Sequence, residues 1–453
     1  MDHPNSFYFK RSRVGLTLIC CLVVYNGYCQ YSVQSEPETW RTFVVQDIKD
    51  LQLMSPPGKQ QMQKEIAEIK QMMAKTNAEV LQRIGYWDAG SPAYRWNQLG
   101  YQLTGPAFFK NHGLTFFQAP MAWMNMAIYD ATVVAWKLKQ QNQRKRPFEI
   151  DASIKPMVLA PSTPSYPCEH AVTAGAAATV LAHFFPEVAD SILTLGKQAA
   201  ESRVYAGVQF PTDIAQGWKL GEQVAALVIE KSKNHLLTEP WAGKIPNDPK
   251  LWSGQYPVGA ITATFKPLVL KSADQFRPGA PPDFALEMQQ MKNFKQDFYT
   301  ASQAYYWAAH SGLDVWTDLA SAKIFEYHLD KNTPEAARIY TVLHLAAYDC
   351  AIAIMDAKYA YFGIRPDQMD TTYKPIIGYT PPFPGYPSGH ATASSAIATI
   401  LSRFFPQDAP MFKQLAKECA DSRFYAGIHF PTDNRVGLEL GEKLGNYVYT
   451  TLK

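Results

Sequence analysis

Cysteine is scarce in this chain. Six occur in 453 residues, and Cys20, Cys21 and Cys29 fall within the first 29 positions. Cys168, Cys350 and Cys419 remain, an odd number at wide spacing. That excludes a disulfide framework and leaves one distant pair as the upper limit. No Cys/His spacing of the zinc-binding kind is present. An excess of one charge is missing too: 43 Lys and Arg against 40 Asp and Glu give a net charge of +3. Beyond the amino terminus there is no long basic run, so the electrostatic footprint of a nucleic-acid binder is absent. Beyond the same point no stretch is apolar throughout for the length of a bilayer span, so no transmembrane anchor is expected.

The amino terminus carries a targeting pattern. Lys10, Arg11 and Arg13 precede the apolar run from Val14 to Tyr25, and Gly27-Tyr28-Cys29 follows. A basic start, a short apolar core and small residues at the −3 and −1 positions predict a signal peptide over 1–29, cleaved before Gln30. The protein is then exported, to a periplasm or to the exterior.

The rest of the chain repeats itself. Tyr86-Trp87 returns as Tyr306-Trp307, Tyr129-Asp130 as Tyr348-Asp349, and Phe184-Phe185-Pro186 as Phe404-Phe405-Pro406. Ser202-Arg203 and Tyr205-Ala206-Gly207 return as Ser422-Arg423 and Tyr425-Ala426-Gly427. A constant offset over blocks of this size means one structural unit used twice. Apolar residues within each copy recur at spacings of three and four, as in the stripe of Val342, Leu345, Ala346 and Ile354 and that of Ala393, Ala396, Ile397, Ile400 and Phe404. The expected fold is all-α: two pseudo-symmetric helical bundles from an internal duplication, with the intact site in the second. The expected division is a segment 30–85, helical around Met62, Ile66, Ile69 and Met73, a first repeat 86–232, a proline-rich connector 233–289 and a second repeat 290–453.

Three clusters in the second repeat carry the chemistry. Lys358 precedes Arg365-Pro366; Pro387-Ser388-Gly389-His390 comes next; Ser422-Arg423, His429 and Asp433 complete the set. Ser388 is placed as the N-cap of a helix beginning just after it. Gly389 lets the backbone approach closely, and a helix N-terminus offers free N–H groups to an anion. Lys358, Arg365 and Arg423 add three cations that repel one another unless an anion lies between them. His390 and His429 supply one group to bond a central atom and one to move a proton. Asp433 is spaced to orient the His429 ring. The chemistry that fits is recognition of a tetrahedral oxyanion.

In order and spacing these clusters resemble the phosphatidic acid phosphatase type 2 and vanadium haloperoxidase superfamily, whose signature is Lys-x6-Arg-Pro, Pro-Ser-Gly-His and Ser-Arg-x5-His-x3-Asp. Asp356-Ala357-Lys358-Tyr359, the run Pro381 to Pro387 and Phe276-Arg277-Pro278 are similar to the soluble haloperoxidase branch. The resemblance implies that His429 binds vanadium or accepts a phosphoryl group, and that Lys358, Arg365 and Arg423 neutralise the equatorial oxygens. It implies that Ser388 and Gly389 hydrogen-bond those oxygens, that His390 is the acid–base group, and that Asp433 holds His429. The sequence departs from the branch at Gly363-Ile364, where aromatic residues usually precede Arg-Pro, and at Met355 in place of a tryptophan.

The function this resemblance implies is that of an enzyme with bound vanadate that oxidises halide with hydrogen peroxide. The alternative from the same residues is an exported acid phosphatase acting on a phosphomonoester through a phosphohistidine. A third reading is a non-catalytic oxyanion-binding helical protein. Oligomeric state stays open. The first repeat keeps Lys139, Arg146-Pro147, His170, Arg203 and Asp213 but has Cys168-Glu169 for Ser388-Gly389 and Gln209 for His429. It is expected to be a degenerate copy whose cations are neutralised by Glu169. His310 is a candidate for the mouth of the site. The stretch from Met121 to Met126 is expected in a bundle core.

Overall fold

The computed structural model describes residues 36–104, 118–236, 241–310 and 312–452. The chain divides into a unit Met1–Ser32, which lies outside these residues together with the expected signal peptide, and a unit Val33–Lys453. Among the described residues every regular element is helical. The helices longer than two turns are, in the first half, α1 (Lys59–Ala74), α2 (Ala78–Asp88), α3 (Pro92–Leu103), α4 (Ala119–Asn142), α5 (Glu169–Phe184), α6 (Ala189–Tyr205) and α7 (Pro211–Lys233). Those of the second are α8 (Ala285–Asn293), α9 (Phe298–Ala309), α10 (Leu313–Glu326), α11 (Thr333–Tyr361), α12 (Gly389–Phe404), α13 (Ala409–Tyr425) and α14 (Pro431–Thr451).

Local chemistry sets where these helices start and stop. Asn77, Asp297 and Asn332 cap α2, α9 and α11 by accepting from the backbone N–H three residues on. Proline opens α3, α7 and α14 in the first turn, where the missing N–H costs nothing. The central helices α4 and α11 both end on a residue in the left-handed region, Gln143 (φ 46°) and Phe362 (φ 49°). Their N–H groups close onto the carbonyls of Lys139 at 3.0 Å and Lys358 at 2.8 Å. The two lysines therefore sit in the last turn of each central helix.

Each half packs around its central helix. In α11 most of the first two thirds is buried on all sides, so the apolar stripe read from the sequence is one face of a core helix. The stretch Thr333–Met369 is long and apolar enough to cross a membrane by length and composition, and 83% of its most apolar window is buried within the protein. Met121, Met124 and Met126 lie in the core of α4, as expected. The site-bearing pairs α5–α7 and α12–α14 come close through glycine: a Cβ on Gly221 would lie 2.3 Å from Val172 O, and one on Gly441 2.1 Å from Thr392 O. The halves meet along α4 and α11, where Thr341 donates to the Asn125 carbonyl at 2.8 Å.

One device occurs in both halves. Asp130 of α4 accepts from Phe43, Val44 and Val45 N–H at 2.8, 2.7 and 3.4 Å. Asp349 of α11 accepts from Leu268, Val269 and Leu270 N–H at 2.7, 2.8 and 2.8 Å. Each carboxylate sits inside the core and takes three consecutive donors from a strap crossing its bundle. The structural likeness thus begins before the side-chain identities do. The boundaries drawn at 85 and 289 fall within α2 and α8 because residue identity, not backbone course, set them. Among its described residues the connector carries no long helix before α8, as its prolines predict, and Trp252 buries against Tyr359 of α11. Cys168, Cys350 and Cys419 are all free and buried.

Candidate oxyanion site

The residues singled out in the second half converge at the N-terminus of α12. Lys358 points its Nζ at three backbone carbonyls, Pro384 at 2.7 Å, Gly385 at 2.8 Å and Pro387 at 2.8 Å. Arg365 donates from Nε to Phe383 O at 3.1 Å and from Nη1 to Ile428 O at 2.7 Å. Its Nη1 also lies 3.1 Å from His429 Nε2. Its Nη2 is buried and has no hydrogen-bond partner. Arg423 donates to Ser422 Oγ at 3.0 Å and to Ala304 O at 3.2 Å. The Phe383 ring lies 5.3 Å from both Lys358 Nζ and Arg365 Cζ, within cation–π range.

His429 is fixed by its other nitrogen. Nδ1 is 3.0 Å from Asp433 Oδ2, and that oxygen also accepts from Phe430 N–H at 3.1 Å. Asp433 is tied back to the helix start by its own carbonyl, which accepts from Ser388 N–H at 3.0 Å. Ser388 caps α12, with Oγ 3.5 Å from Ala391 N, and a Cβ on Gly389 would meet only Ile354 Cγ2 at 3.6 Å. His390 comes next, on the first turn. Its ring lies against the backbone of Trp307 and His310, and Gly312 approaches its Cδ2. His390 Nε2 is buried and has no partner.

The electrostatics are those of a buried cluster of cations. Lys358, Arg365 and Arg423 are each no more than 1% exposed. None of the three has a carboxylate within ion-pair distance among the described residues. Burial, with the Arg365 charge beside it, pushes the Lys358 ammonium well below its ordinary range. Burial lowers the Arg365 guanidinium to about 10. Burial and then Arg365, Lys358, Arg423 and His390 depress the His429 imidazole. Burial and Arg423 hold His390 down at about 3. Burial raises the Asp433 carboxyl against the pull of Lys358 and Arg365. A bound anion relieves each cation's penalty at once.

The first half has the same scaffold with its charges closed. Lys139 Nζ meets Pro164 O at 2.5 Å, and Arg146 meets Thr163 O at 2.8 Å and Val208 O at 3.1 Å. These are the counterparts of the Lys358 and Arg365 contacts. Here, however, Glu169 bridges both cations, at 2.9 Å from Lys139 Nζ and 3.0 Å from Arg146 Nη2. Arg203 pairs with Asp88 at 2.6 Å; position 308, where the repeat places its counterpart, is Ala308. Asp213, matching Asp433, is taken by Arg144 at 2.5 Å, and Arg144 also pairs with Glu65 at 2.9 Å. The second half has Gly363 where Arg144 stands, which leaves Asp433 to His429. The neutralisation by Glu169 was legible in the sequence; the partners Asp88, Arg144 and Glu65 were not, because they come from helices and loops distant in sequence. His310, the candidate for the mouth, is partly exposed and bonds Asp314 at 2.8 Å, a pair with no counterpart at Gly90 and Tyr94.

The residues present fit an oxyanion. Two orphaned buried nitrogens, Arg365 Nη2 and His390 Nε2, border the cations, and in the sister half a carboxylate stands in for the anion. Charge-assisted donors around a lone imidazole suit vanadate or phosphate, which share tetrahedral oxygens.

Known proteins share this architecture. The chain belongs to the PAP2 superfamily, whose sequence profile matches residues 120–236 and 338–453, once in each half and just over half of the chain together. Over 69 residues, 15% of this chain and 38% of the other, it is 36% identical to the decaprenylphosphoryl-5-phosphoribose phosphatase of Mycobacterium tuberculosis (strain CDC 1551 / Oshkosh). The chain thus spans about two fifths of the length of the curated relatives it matches. Among solved structures, a bacterial vanadium-dependent iodoperoxidase superposes with a TM-score of 0.59 at 21% identity, covering 88% of this chain and 99% of that one. An apo bacterial vanadium-dependent chloroperoxidase gives 0.56 at 14% identity, covering 75% and 94%. Those likenesses establish the fold.

Proposed function

We propose that the second half is a vanadate-dependent haloperoxidase centre that oxidises halide with hydrogen peroxide. The observation that carries this reading is the trio Lys358, Arg365 and Arg423, buried without carboxylate partners around His429. Two solved structures that share this fold over 88% and 75% of the chain, a vanadium-dependent iodoperoxidase and a vanadium-dependent chloroperoxidase, support it. His429 Nε2 is the atom placed to hold vanadium, with Asp433 fixing the ring through Nδ1. Lys358, Arg365, Arg423, the Ser388 hydroxyl and the Gly389 N–H hold the oxygens. Bound vanadate supplies a Lewis-acidic centre at which peroxide is activated toward halide. His390, beside Arg423 and held by the backbone of Trp307 and His310, moves the proton. The amino-terminal targeting pattern supports export, with this chemistry outside the cytoplasm.

A second reading keeps the same residues and exchanges the cofactor for a substrate. It is favoured by the matched stretch of the decaprenylphosphoryl-5-phosphoribose phosphatase. His429 then attacks a phosphomonoester, and His390 protonates the departing alcohol. Purified protein assayed with vanadate, peroxide and each halide, and separately with p-nitrophenyl phosphate, decides between the two. Halide oxidation that requires vanadate supports the first. Ester hydrolysis inhibited by vanadate supports the second. Inactivity in both assays refutes both.

A further inference from the structure

We propose that the first half retains a two-cation cradle for a tetrahedral oxyanion, Lys139 with Arg146, closed in the native protein by Glu169 acting as a tethered ligand. This inference concerns the other end of the duplication and does not depend on which reaction the second half runs. Glu169 sits at the first position of α5, where the second half has Gly389 at the first position of α12. Its two oxygens reach the two cations that correspond to Lys358 and Arg365. The lysine-to-carbonyl contact at Pro164 and the guanidinium contacts at Thr163 and Val208 match those of the second half. The backbone brace matches as well, with Cys168 N–H donating to Asp213 O at 3.1 Å.

Three further observations point to a ligand site rather than a packed remnant. His170 Nε2 is buried and lacks a partner, as His390 Nε2 is. A cavity of about 160 Å³ opens onto Glu169, His170 and Thr163, with Trp136 and Leu159 on its walls. The cavity thus reaches the Glu169 side chain, behind which Lys139 and Arg146 lie. Gln209, in place of His429, accepts from Arg146 Nη1 at 2.6 Å and donates to Ser165 O at 2.9 Å with its amide so turned, so it braces the arginine, and its amide end lies 3.3 Å from Glu169 Oε2 at the edge of the cradle. Burial works to raise the Glu169 carboxyl, yet Lys139, Arg146 and His170 outweigh it and hold it below the usual carboxylate range. Glu169 is thus a permanent anion, and removing it strands two buried cations. With Gln209 in place of the histidine, the opened site is a binding site for inorganic phosphate or vanadate and not a second reaction centre.

The test uses the full chain with Glu169→Ala and Glu169→Gly. Orthophosphate is titrated by calorimetry into wild type and variants, and thermal unfolding is followed with and without phosphate. The expected result is one more phosphate equivalent in each variant than in wild type. That added equivalent should disappear when Arg146→Ala is combined with Glu169→Ala. A variant that folds only with phosphate present also supports the proposal. Variants that fold without phosphate and bind no more of it than wild type overturn it, as do variants that phosphate at no concentration allows to fold. Failure of the second-half assignment reads differently: wild type itself then binds no phosphate.

Discussion

His429 and Asp433 lie 3.0 Å apart, Nδ1 to Oδ2, one turn into the start of α14, and this contact leaves Nε2 as the imidazole nitrogen facing Arg365. The Asp433 oxygen is held in turn by Phe430 N–H. The carboxylate thus selects the tautomer in which Nε2 carries the lone pair, the form needed either to ligate vanadium or to attack phosphorus.

His429→Ala is expected to abolish both halide oxidation and ester hydrolysis, because no other side chain offers a lone pair at that place. Asp433→Asn keeps the shape and loses the charge. It should lower oxyanion affinity or turnover by about 10- to 100-fold, as partners behind a ligand typically do. Steady-state kinetics and vanadate titration of the two variants check this; near-normal rates in His429→Ala defeat the site assignment.

The two repeats should respond unequally to the same substitution. His390→Ala should cut activity by about 100-fold or more, the usual worth of a general acid–base, with little change in melting temperature. His170→Ala should leave the rate constants near wild type. The reverse pattern would locate the chemistry in the first half.

Native protein should bind one vanadate per chain, and orthophosphate should compete for it. Among the described residues, the matching buried cations are paired with carboxylates in the first half and unpaired in the second, so two tight equivalents, or none, contradict the structure's charge pattern. Calorimetry with each anion in turn gives the count.

Ser388→Ala should weaken both fold and function, unequally. The hydroxyl's contact to Ala391 N is long at 3.5 Å, so the lost cap should cost no more than about 1 kcal/mol of stability. The lost oxyanion donor should cost about 3 kcal/mol in the rate. Denaturant unfolding and kinetics on the same preparation separate the two.

Asp349→Ala removes the acceptor for three consecutive N–H groups. Each donor left buried and unpaired costs about 1–3 kcal/mol, so the variant should be destabilised by several kcal/mol in urea unfolding. Asp130→Ala should do the same in the first half. A loss under about 1 kcal/mol in either would show that water replaces the carboxylate.

Much of the candidate site was readable in the sequence because its residues come in short, strongly spaced clusters. Lys358, Arg365, Ser388, Gly389, His390, Arg423, His429 and Asp433 all meet at the start of α12. The duplication was legible for the same reason, as was the role of Glu169, which stands directly after the capping position. The strap contacts were hidden although Tyr129-Asp130 and Tyr348-Asp349 were visible as a repeated pair. Their partners are backbone N–H groups roughly 80 residues earlier, which carry no side-chain signature. Arg144 and Gly363 also hid their meaning. Each sits two residues before the signature arginine, and only the folded chain shows that the larger residue takes Asp213 out of service.

The substitution of Gly by Glu at one helix start has a consequence for how the two bundles answer to their surroundings. An anion held by the second half is exchangeable, and its contribution rises with its concentration, by about 2.7 kcal/mol at a hundredfold excess over Kd. Glu169 is covalently part of the chain, and dilution cannot remove it. In a medium poor in such anions the second half is therefore expected to lose stability that the first half, with Glu169 in place, does not.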